Sequence, residues 1–506
     1  MPTEYSNLEA IRLEKIEQLR NSGVEPYPTR AERTHTSQQA ITAFEEAEAA
    51  GAVDTISATL VGRLRSIRPM GKIIFAHIED GYGRVQLFLR ANELGEEQLQ
   101  LFNRSFDLGD FIQAQGVMFR TRTGEVTLRV QAFKMLSKSI TPLPAAKDEV
   151  IDGEVVRHVV LVEPELRYRQ RYADLAINPE VRRTFRIRAA IIQALREFLD
   201  SRDFLEVETP VLQPLYGGAA ARPFITYHNQ LKQQLYLRIS FELYLKRLLV
   251  GGFERVYEIG RDFRNEGVDR WHNPEFTMLE FYMAYADYEQ VMALTEEMLV
   301  FVAERVLGSR KFTYQGQEID LTPPWRRIRL IDGVAEASGI DISQHPTAES
   351  LAAAMRARGL TPDPKAPRGK LIDSLMGDFL EPTLIQPTFL YDYPRDISPL
   401  AKSKPGDPGT VERFEGFIAG AELCNAFTEL NDPLDQEARF LEMSRDFASD
   451  DEERHPLDED YLQAMRYGMP PNGGFGMGID RLAMLLSDSP NIREVILFPH
   501  LRSREE

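Results

Sequence analysis

EIGRDFRNEGVDRWHNPEFTMLEFYMAY, residues 258–285, reads as two apolar, strand-like runs on either side of a polar loop that holds Arg264, Glu266, Arg270, His272 and Asn273. This pattern predicts a β-hairpin with a wide, charged tip. Successive strand side chains alternate between faces, so Phe276, Met278, Glu280 and Tyr282 share one face of the second arm. A carboxylate on an otherwise apolar face needs a partner. An arginine that can fork onto a phosphate, beside an aromatic plane that can stack a base, makes the hairpin a candidate nucleotide site. A surface hairpin with solvated charges is the alternative.

The 506 residues are 43% apolar, enough for roughly two to four domains with their own cores. The single Cys424 excludes an intramolecular disulfide and a thiolate metal cluster, which suits a reducing, cytoplasmic setting. No apolar run is long enough to cross a bilayer, and the first residues lack a basic-then-apolar signal, so no membrane is expected as a partner. A net charge of −18 argues against a protein that coats nucleic acid non-specifically. Between Leu60 and Arg90, however, Arg63, Arg65, Arg68, Lys72, Arg84 and Arg90 face only Glu79 and Asp80, a local basic excess.

That basic region belongs to a succession of short strands. A helix is expected over about Asn7 to Asn21 with Asn7 as its cap. A Glu/Ala-rich tract from Phe44 to Ala52 reads as a solvated helix. ATLVGRLRSI, KIIFAHIE, RVQLFLR, FIQAQGVMFR and EVTLRVQAF then alternate like strands, with one helical interlude near Glu93 to Phe102 after the third. Five strands with a helix after the third is the order of an OB barrel, whose exposed face binds single-stranded nucleic acid. Phe75 and Gln86 fall on that face, a stacking plane and an amide for base edges; Phe75 as core is the alternative.

After a Pro-containing linker candidate, arginines at 167, 169 and 171 crowd one span, either an ion-paired surface or a strip facing nucleic acid. Asn178, Pro179 and Glu180 begin a helix with the expected cap and first turn. The run Gly217 to Ala221 carries almost no side chain, so a ligand can approach its backbone. Glu242 and Lys246 sit four apart in an apolar segment, an ordinary helical ion pair. Asp287 with Gln290 predicts a capping box for a helix that stops near Gly308. Residues from about Pro323 to Leu380 read as a helical module without evident chemistry. Glu415, Glu422 and Glu429 recur every seven residues; as a helix they form a stripe, and as two strands joined through Ile418 to Ala421 they turn carboxylates toward one cleft. GGFGMGIDRLAMLL places glycines before Arg481 and an apolar helix, but lacks the Lys-Ser/Thr end of a P-loop and the Rossmann spacing.

Together these stretches resemble the signature motifs of class II aminoacyl-tRNA synthetases, and within them the bacterial-type lysyl-tRNA synthetases. The helix and strand ending at Pro210 resemble motif one, FRNEG with HNPEFTMLEFYMAYADY motif two, and GMGIDRLAMLL motif three. RYRQRYADL, ELYLKRL, SPLAK and NAFTELND match as well. The resemblance implies an α+β protein: an N-terminal helix and OB-fold β-barrel over 1–143 that binds the anticodon, a linker over 144–178, and a catalytic domain over 179–506. The last would be built on a six-stranded antiparallel sheet flanked by helices, with the helical insertion at about 323–380.

It further implies ATP-dependent ligation of L-lysine to tRNA(Lys) through a lysyl-adenylate, with Mg2+ and as a homodimer. Arg264 and Arg481 would be catalytic, and Glu266, His272, Asn273, Phe276 and Gly478 would join them in holding ATP. Glu415 and Glu422 would hold magnesium. Gly218, Glu242, Glu280, Tyr282, Asn425, Phe427 and Glu429 would surround the lysine, and Arg65, Phe75, Gln86 and Glu125 the anticodon. Carboxylates against an aromatic wall suit an ammonium on an apolar stem, whereas an aspartate substrate would need cations there. Departures from the family are Trp271, where an arginine is common, and Phe241, where a small residue or proline is common. An aspartyl- or asparaginyl-type synthetase and a non-catalytic RNA-binding paralogue are the competing readings.

Overall fold

The structure, a computed structural model, describes residues 5–52, 55–144, 147–151, 154–158, 161–446 and 457–502. Two compact units divide the chain, Met1–Val162 and Glu163–Glu506.

In the first unit, helices α1 (Asn7–Asn21) and α2 (Ser37–Ala49) precede strands β1 (Ser57–Met70), β2 (Ile73–Glu79) and β3 (Arg84–Arg90). Helices α3 (Ala91–Leu94) and α4 (Glu96–Ser105), then β4 (Phe111–Arg120), β5 (Val126–Ser137) and a hairpin of β6 (Lys147–Ile151) and β7 (Glu154–His158), complete it. The first five strands pair in the order β1-β2-β3-β5-β4, and β4 returns to β1 to close the barrel. Strict alternation fills it: Ile74, Ala76 and Ile78 point inward with Leu87, Leu89, Ile112 and Leu128. The sequence reading is corrected in detail. Ser6, not Asn7, caps α1, accepting the Glu9 N–H while the Glu9 carboxylate accepts that of Ser6. Gly95, at φ 86, splits the single expected helical interlude into two. The supposedly solvated helix buries Phe44 completely in the barrel's core.

The second unit opens with α5 (Pro164–Arg169), α6 (Arg171–Ile177), α7 (Pro179–Asp200), β8 (Leu205–Glu206), β9 (Leu212–Gln213), β10 (Ile225–His228) and β11 (Gln233–Leu237). Next come α8 (Glu242–Val250), β12 (Arg255–Phe263), β13 (Glu275–Ala284), α9 (Tyr288–Leu307), a hairpin of β14 (Lys311–Tyr314) and β15 (Gln317–Asp320), and β16 (Arg326–Arg329). Helices α10 (Leu330–Ser338), α11 (Ala348–Ala357) and α12 (Arg368–Leu375) lead to β17 (Thr388–Pro394), β18 (Ser403–Lys404), β19 (Asp407–Ile418) and β20 (Ala421–Thr428). The unit ends with α13 (Pro433–Asp446), α14 (Glu459–Arg466), β21 (Asn472–Gly478), α15 (Ile479–Leu486) and α16 (Ile492–Val495).

Its main sheet runs β16-β17-β19-β20-β21-β13-β12-β8, with β18 beside β19. The six strands from β17 to β12 are antiparallel, and the short edge strands β16 and β8 are parallel to their neighbours. Period two divides β13 as expected: Leu279 and Phe281 enter the core under α7, α9 and α15, and Phe281 stacks on Phe475 at 4.7 Å. Removing such a buried ring costs about 3–5 kcal/mol. The capping box of Asp287 and Gln290 and the left-handed Gly308 bound α9 as read from sequence. Asn178 precedes α7 without capping it, and its carboxamide instead donates to Asp174 at 2.7 Å. The arginines at 167, 169 and 171 are ion-paired, to Asp174, Glu165 and Asp174 respectively.

Candidate functional site

One face of the main sheet floors a cleft of about 1490 Å³. The hairpin β12–β13 supplies its nucleotide-like end. Arg264, Glu266, His272, Asn273 and Phe276 line it, with Gly478 and Arg481 from the end of β21 and the start of α15. Arg264 lies over the Phe276 ring at 5.1 Å. His272 is held between the Asp269 carboxylate, 2.8 Å from Nδ1, and the Arg481 guanidinium, 3.2 Å from Nε2. Arg481 also donates to the Glu422 carbonyl at 2.5 Å and its carboxylate at 3.2 Å. At the tip, Arg270 turns out to the Pro490 carbonyl (2.7 Å) and stacks on Trp271, so Trp271 and not Arg270 lines the cleft.

Farther along the same face of β13 stand Glu280 and Tyr282. Glu280 is buried and accepts from Ser240 Oγ (2.9 Å), the Phe241 N–H (3.4 Å) and the Tyr282 hydroxyl (3.2 Å). Burial, with Asp262 and Glu242 nearby, holds its carboxyl well above the usual carboxylate range. Glu242, at the start of α8, and Glu429, just beyond β20, both pair with Lys246. Gly218, at φ +88, presents backbone to this end: a Cβ there would meet Ser240 Oγ at 2.9 Å and Glu242 Cβ at 3.0 Å. Phe241 is completely buried against Leu245, Val256 and Tyr282, with Arg238 over its ring at 4.0 Å, so that departure buttresses the wall from behind.

The glutamates at seven-residue spacing lie on strands. Ala419 and Gly420, both at positive φ, turn β19 into β20 and set Glu415 opposite Asn425. Glu422, Asn425, Phe427 and Glu429 line the cleft, while Glu415 sits behind them, bonded to Arg413 and to the Tyr393 hydroxyl at 2.8 Å. Burial pushes the Glu415 carboxyl up to about 7, Arg413 opposing and Glu422 adding to the rise. Each of these carboxylates already has an arginine partner, Glu415 with Arg413 and Glu422 with Arg481. Magnesium, commonly held by one or two carboxylates together with substrate phosphates, fits Glu422 in the cleft lining, with Glu415 behind it. Among the described residues, no group of three or more His, Cys, Asp or Glu is placed to hold a metal ion.

Sequence reasoning missed Arg413, Ser240 and the helical module. Arg413 donates to Asn425 Oδ1 (3.1 Å), Ser398 Oγ (2.9 Å) and the Ile397 carbonyl (2.8 Å), and lies 5.4 Å from the Phe427 ring centre. Its place two residues before Glu415 on a strand was the available signal. The module judged to lack chemistry contributes a cleft wall that includes Arg356, Lys365, Arg368 and Asp373. The glycines before α15 form strand β21 in the sheet, not a phosphate loop; Gly474, Gly476 and Gly478 line the cleft while Phe475 and Met477 face the core.

On the barrel of the first unit, Phe75 and Phe88 rings lie 5.1 Å apart beside His77 and Gln86 on adjacent strands. Glu125 accepts from Gln86 Nε2 at 2.6 Å and lies 2.8 Å from His77 Nε2; Thr127 Oγ1 donates to Gln86 Oε1 at 2.8 Å. Arg65 is paired with Glu79 at 3.1 Å. Phe75, Gln86 and Glu125 are thus brought together, and His77 and Phe88 were missed.

Comparison with known proteins agrees with this division. The family described as an OB-fold nucleic acid binding domain matches residues 58–136, and that of the class II tRNA synthetases (D, K and N) matches residues 163–502. A lysine–tRNA ligase of Chloroflexus aurantiacus is 53% identical over 503 residues, 99% of this chain and 100% of that protein. Those of Roseiflexus castenholzii (52%, 99% and 100%) and Moorella thermoacetica (51%, 99% of each) are similar over the same extent. The chain therefore belongs to the class II tRNA synthetases, and among them to the lysine–tRNA ligase family.

Proposed function

We propose that the protein joins L-lysine to tRNA(Lys) in two steps at the cleft: lysine and ATP form a lysyl-adenylate and pyrophosphate, and the acyl group then passes to a ribose hydroxyl of the tRNA, releasing AMP. The observation that carries the lysine assignment is the spacing of carboxylates along one face. From Phe276 the order runs to Glu280 and then to Tyr282 with Glu242 and Glu429. Lysine has two ammonium groups. With its carboxylate directed at the α-phosphate near Arg264, Glu280 meets the α-ammonium, and Glu242 and Glu429 meet the side-chain ammonium beside Tyr282 and Phe427.

The first step needs no general base, because the attacking carboxylate is already an anion. It needs alignment and neutralisation of charge. Arg264 serves the α-phosphate, Phe276 and Arg481 the two faces of adenine, and His272 the outer phosphates; Glu266, Asn273 and Gly478 complete the ATP contacts. Glu415 and Glu422 would hold Mg2+, which supplies Lewis-acid charge neutralisation at phosphate oxygens when bound. On the barrel, Phe75 offers a stacking plane and Gln86, Glu125 and Arg65 polar edges for anticodon bases. Exposed Leu205, Val211, Leu212, Ile225 and Tyr227 on and around β8 to β10 favour a homodimer, which sedimentation would test. No helix among the described residues is long and apolar enough to cross a membrane.

ATP–pyrophosphate exchange with lysine, aspartate and asparagine in parallel tests the reading. Exchange with lysine alone is expected. Exchange with aspartate or asparagine would reassign the substrate, and none with any amino acid would point to a non-catalytic RNA-binding role.

A further inference from the structure

Lys246 follows Glu242 by one turn of α8, and its side chain is completely buried. An exposed pair at this spacing supports a helix by a few tenths of a kcal/mol, which gives no reason to bury it. The structure supplies a second partner. Lys246 Nζ lies 2.5 Å from Glu242 Oε1 and also pairs with Glu429 Oε2, contributed by a different segment. Two carboxyl groups and one ammonium thus share one buried place, with one negative charge in excess when both carboxyls are ionised. The remaining oxygen, Glu429 Oε1, is buried without a hydrogen-bond partner, and Gly474 is the neighbour whose missing Cβ leaves it room.

Two buried carboxylates side by side do not both remain ionised; one takes up a proton. A fixed ammonium between them opposes that tendency: burial and the neighbouring Glu242 push the Glu429 carboxyl up to about 8, against the pull of Lys246. The pocket's one surplus charge would then be matched by one incoming cation, whereas a neutral side chain would leave it buried and unmatched.

Resting on the lysine reading above, we propose that Lys246 is a positioning residue for amino acid selection: it clamps Glu242 and Glu429 side by side through one ammonium, so that both are presented as acceptors to one substrate ammonium. The other groups facing the triad are Tyr282 and Glu280 from β13 and Tyr461 from α14, with Arg247 of α8 5.6 Å from the Tyr461 ring centre. Burial raises both phenols, keeping them neutral near pH 7. Glu280 is held by its own donors, Ser240, the Phe241 N–H and Tyr282.

The test is lysine-dependent ATP–pyrophosphate exchange by the full-length enzyme. In Lys246→Met one carboxyl holds a proton at pH 7, so the net charge is kept but one acceptor for the substrate ammonium becomes a donor. The lysine KM should rise about tenfold with the ATP KM within about twofold, and should fall again by about fivefold toward pH 8.5 as that carboxyl ionises; the wild-type KM should fall by less, because Lys246 draws Glu429 toward its anionic form. A variant with a lowered melting temperature but an unchanged lysine KM and pH profile would overturn the proposal, leaving an ion pair that serves only the fold. Should Lys246→Met fail to fold, charge counting continues with Glu429→Gln, whose pocket is neutral, against the double variant Lys246→Met/Glu429→Gln, whose pocket regains one negative charge. The double variant should bind lysine about fivefold better than Glu429→Gln; equal or weaker binding overturns the proposal. Absence of lysine-dependent exchange in the wild type would sink the lysine reading instead.

Discussion

Arg188, on α7, donates to the carboxylate of Asp480 in the first turn of α15 at 2.5 Å, across 292 residues of sequence. The same carboxylate receives the Thr277 N–H of β13 at 2.7 Å, and Arg188 reaches Thr277 Oγ1 at 2.9 Å. One buried acid therefore joins the long helix, the hairpin and the C-terminal helix beneath the cleft. Asp480→Ala should lower the free energy of unfolding by roughly 3–5 kcal/mol, because a guanidinium and an amide lose a common buried partner. Urea unfolding followed by tryptophan fluorescence checks this.

Glu280→Gln keeps the shape of the side chain and leaves it unable to become a carboxylate when the substrate ammonium binds. The lysine KM should rise more than about tenfold with the ATP KM little changed, since the lost contact is to the amino acid. An unchanged KM in exchange kinetics would remove Glu280 from the pocket.

Glu422→Gln should raise the magnesium concentration that gives half-maximal exchange by about tenfold, because one of two carboxylates for the cation is lost. Titration of activity with magnesium at fixed ATP reads it directly.

Asp262, on strand β12 of the hairpin, has both carboxylate oxygens buried without hydrogen bonds, although Arg238 lies 3.4 Å away. Burial pushes its carboxyl up to about 7, against the pull of Arg238 and Arg264. The folded state then binds a proton that the unfolded state has released, so this contribution to stability is complete below about pH 4 and fades as pH rises through 7. Asp262→Asn should gain stability relative to wild type between pH 5 and 7.5, measured by urea midpoints at both; a difference that does not change with pH would show that Asp262 stays charged.

Phe75→Ala should reduce tRNA charging by about tenfold or more through loss of one stacking plane, while lysine-dependent exchange without tRNA stays at the wild-type rate. A parallel loss of exchange would mean damage to the fold rather than to RNA binding.

What sequence could disclose follows from where the determining forces are local. The hairpin's alternation, the capping box at Asp287 and the strand order of the barrel rest on neighbours in the chain, and all three appear in the structure. Lys246 was legible only as the partner of Glu242, because its bond to Glu429 depends on how α8 packs against the end of β20. Arg413 and the wall from α11 and α12 escaped for the same reason: a residue's part in a cleft is fixed by tertiary approach, to which composition and period are blind. The two departures at Phe241 and Trp271 became interpretable only once their neighbours were known.

Strand β21 gives the cleft a floor of bare backbone at Gly474, Gly476 and Gly478. A Cβ at Gly474 would come within 1.9 Å of Glu429 Oε1 and 2.5 Å of the Tyr282 ring. Such a floor has nothing left to trim. An engineer who wants the enzyme to accept a bulkier, derivatised lysine has no room to gain below, and must open the side occupied by Tyr282 and Phe427, accepting that each cut also removes part of the wall that excludes the wrong amino acids.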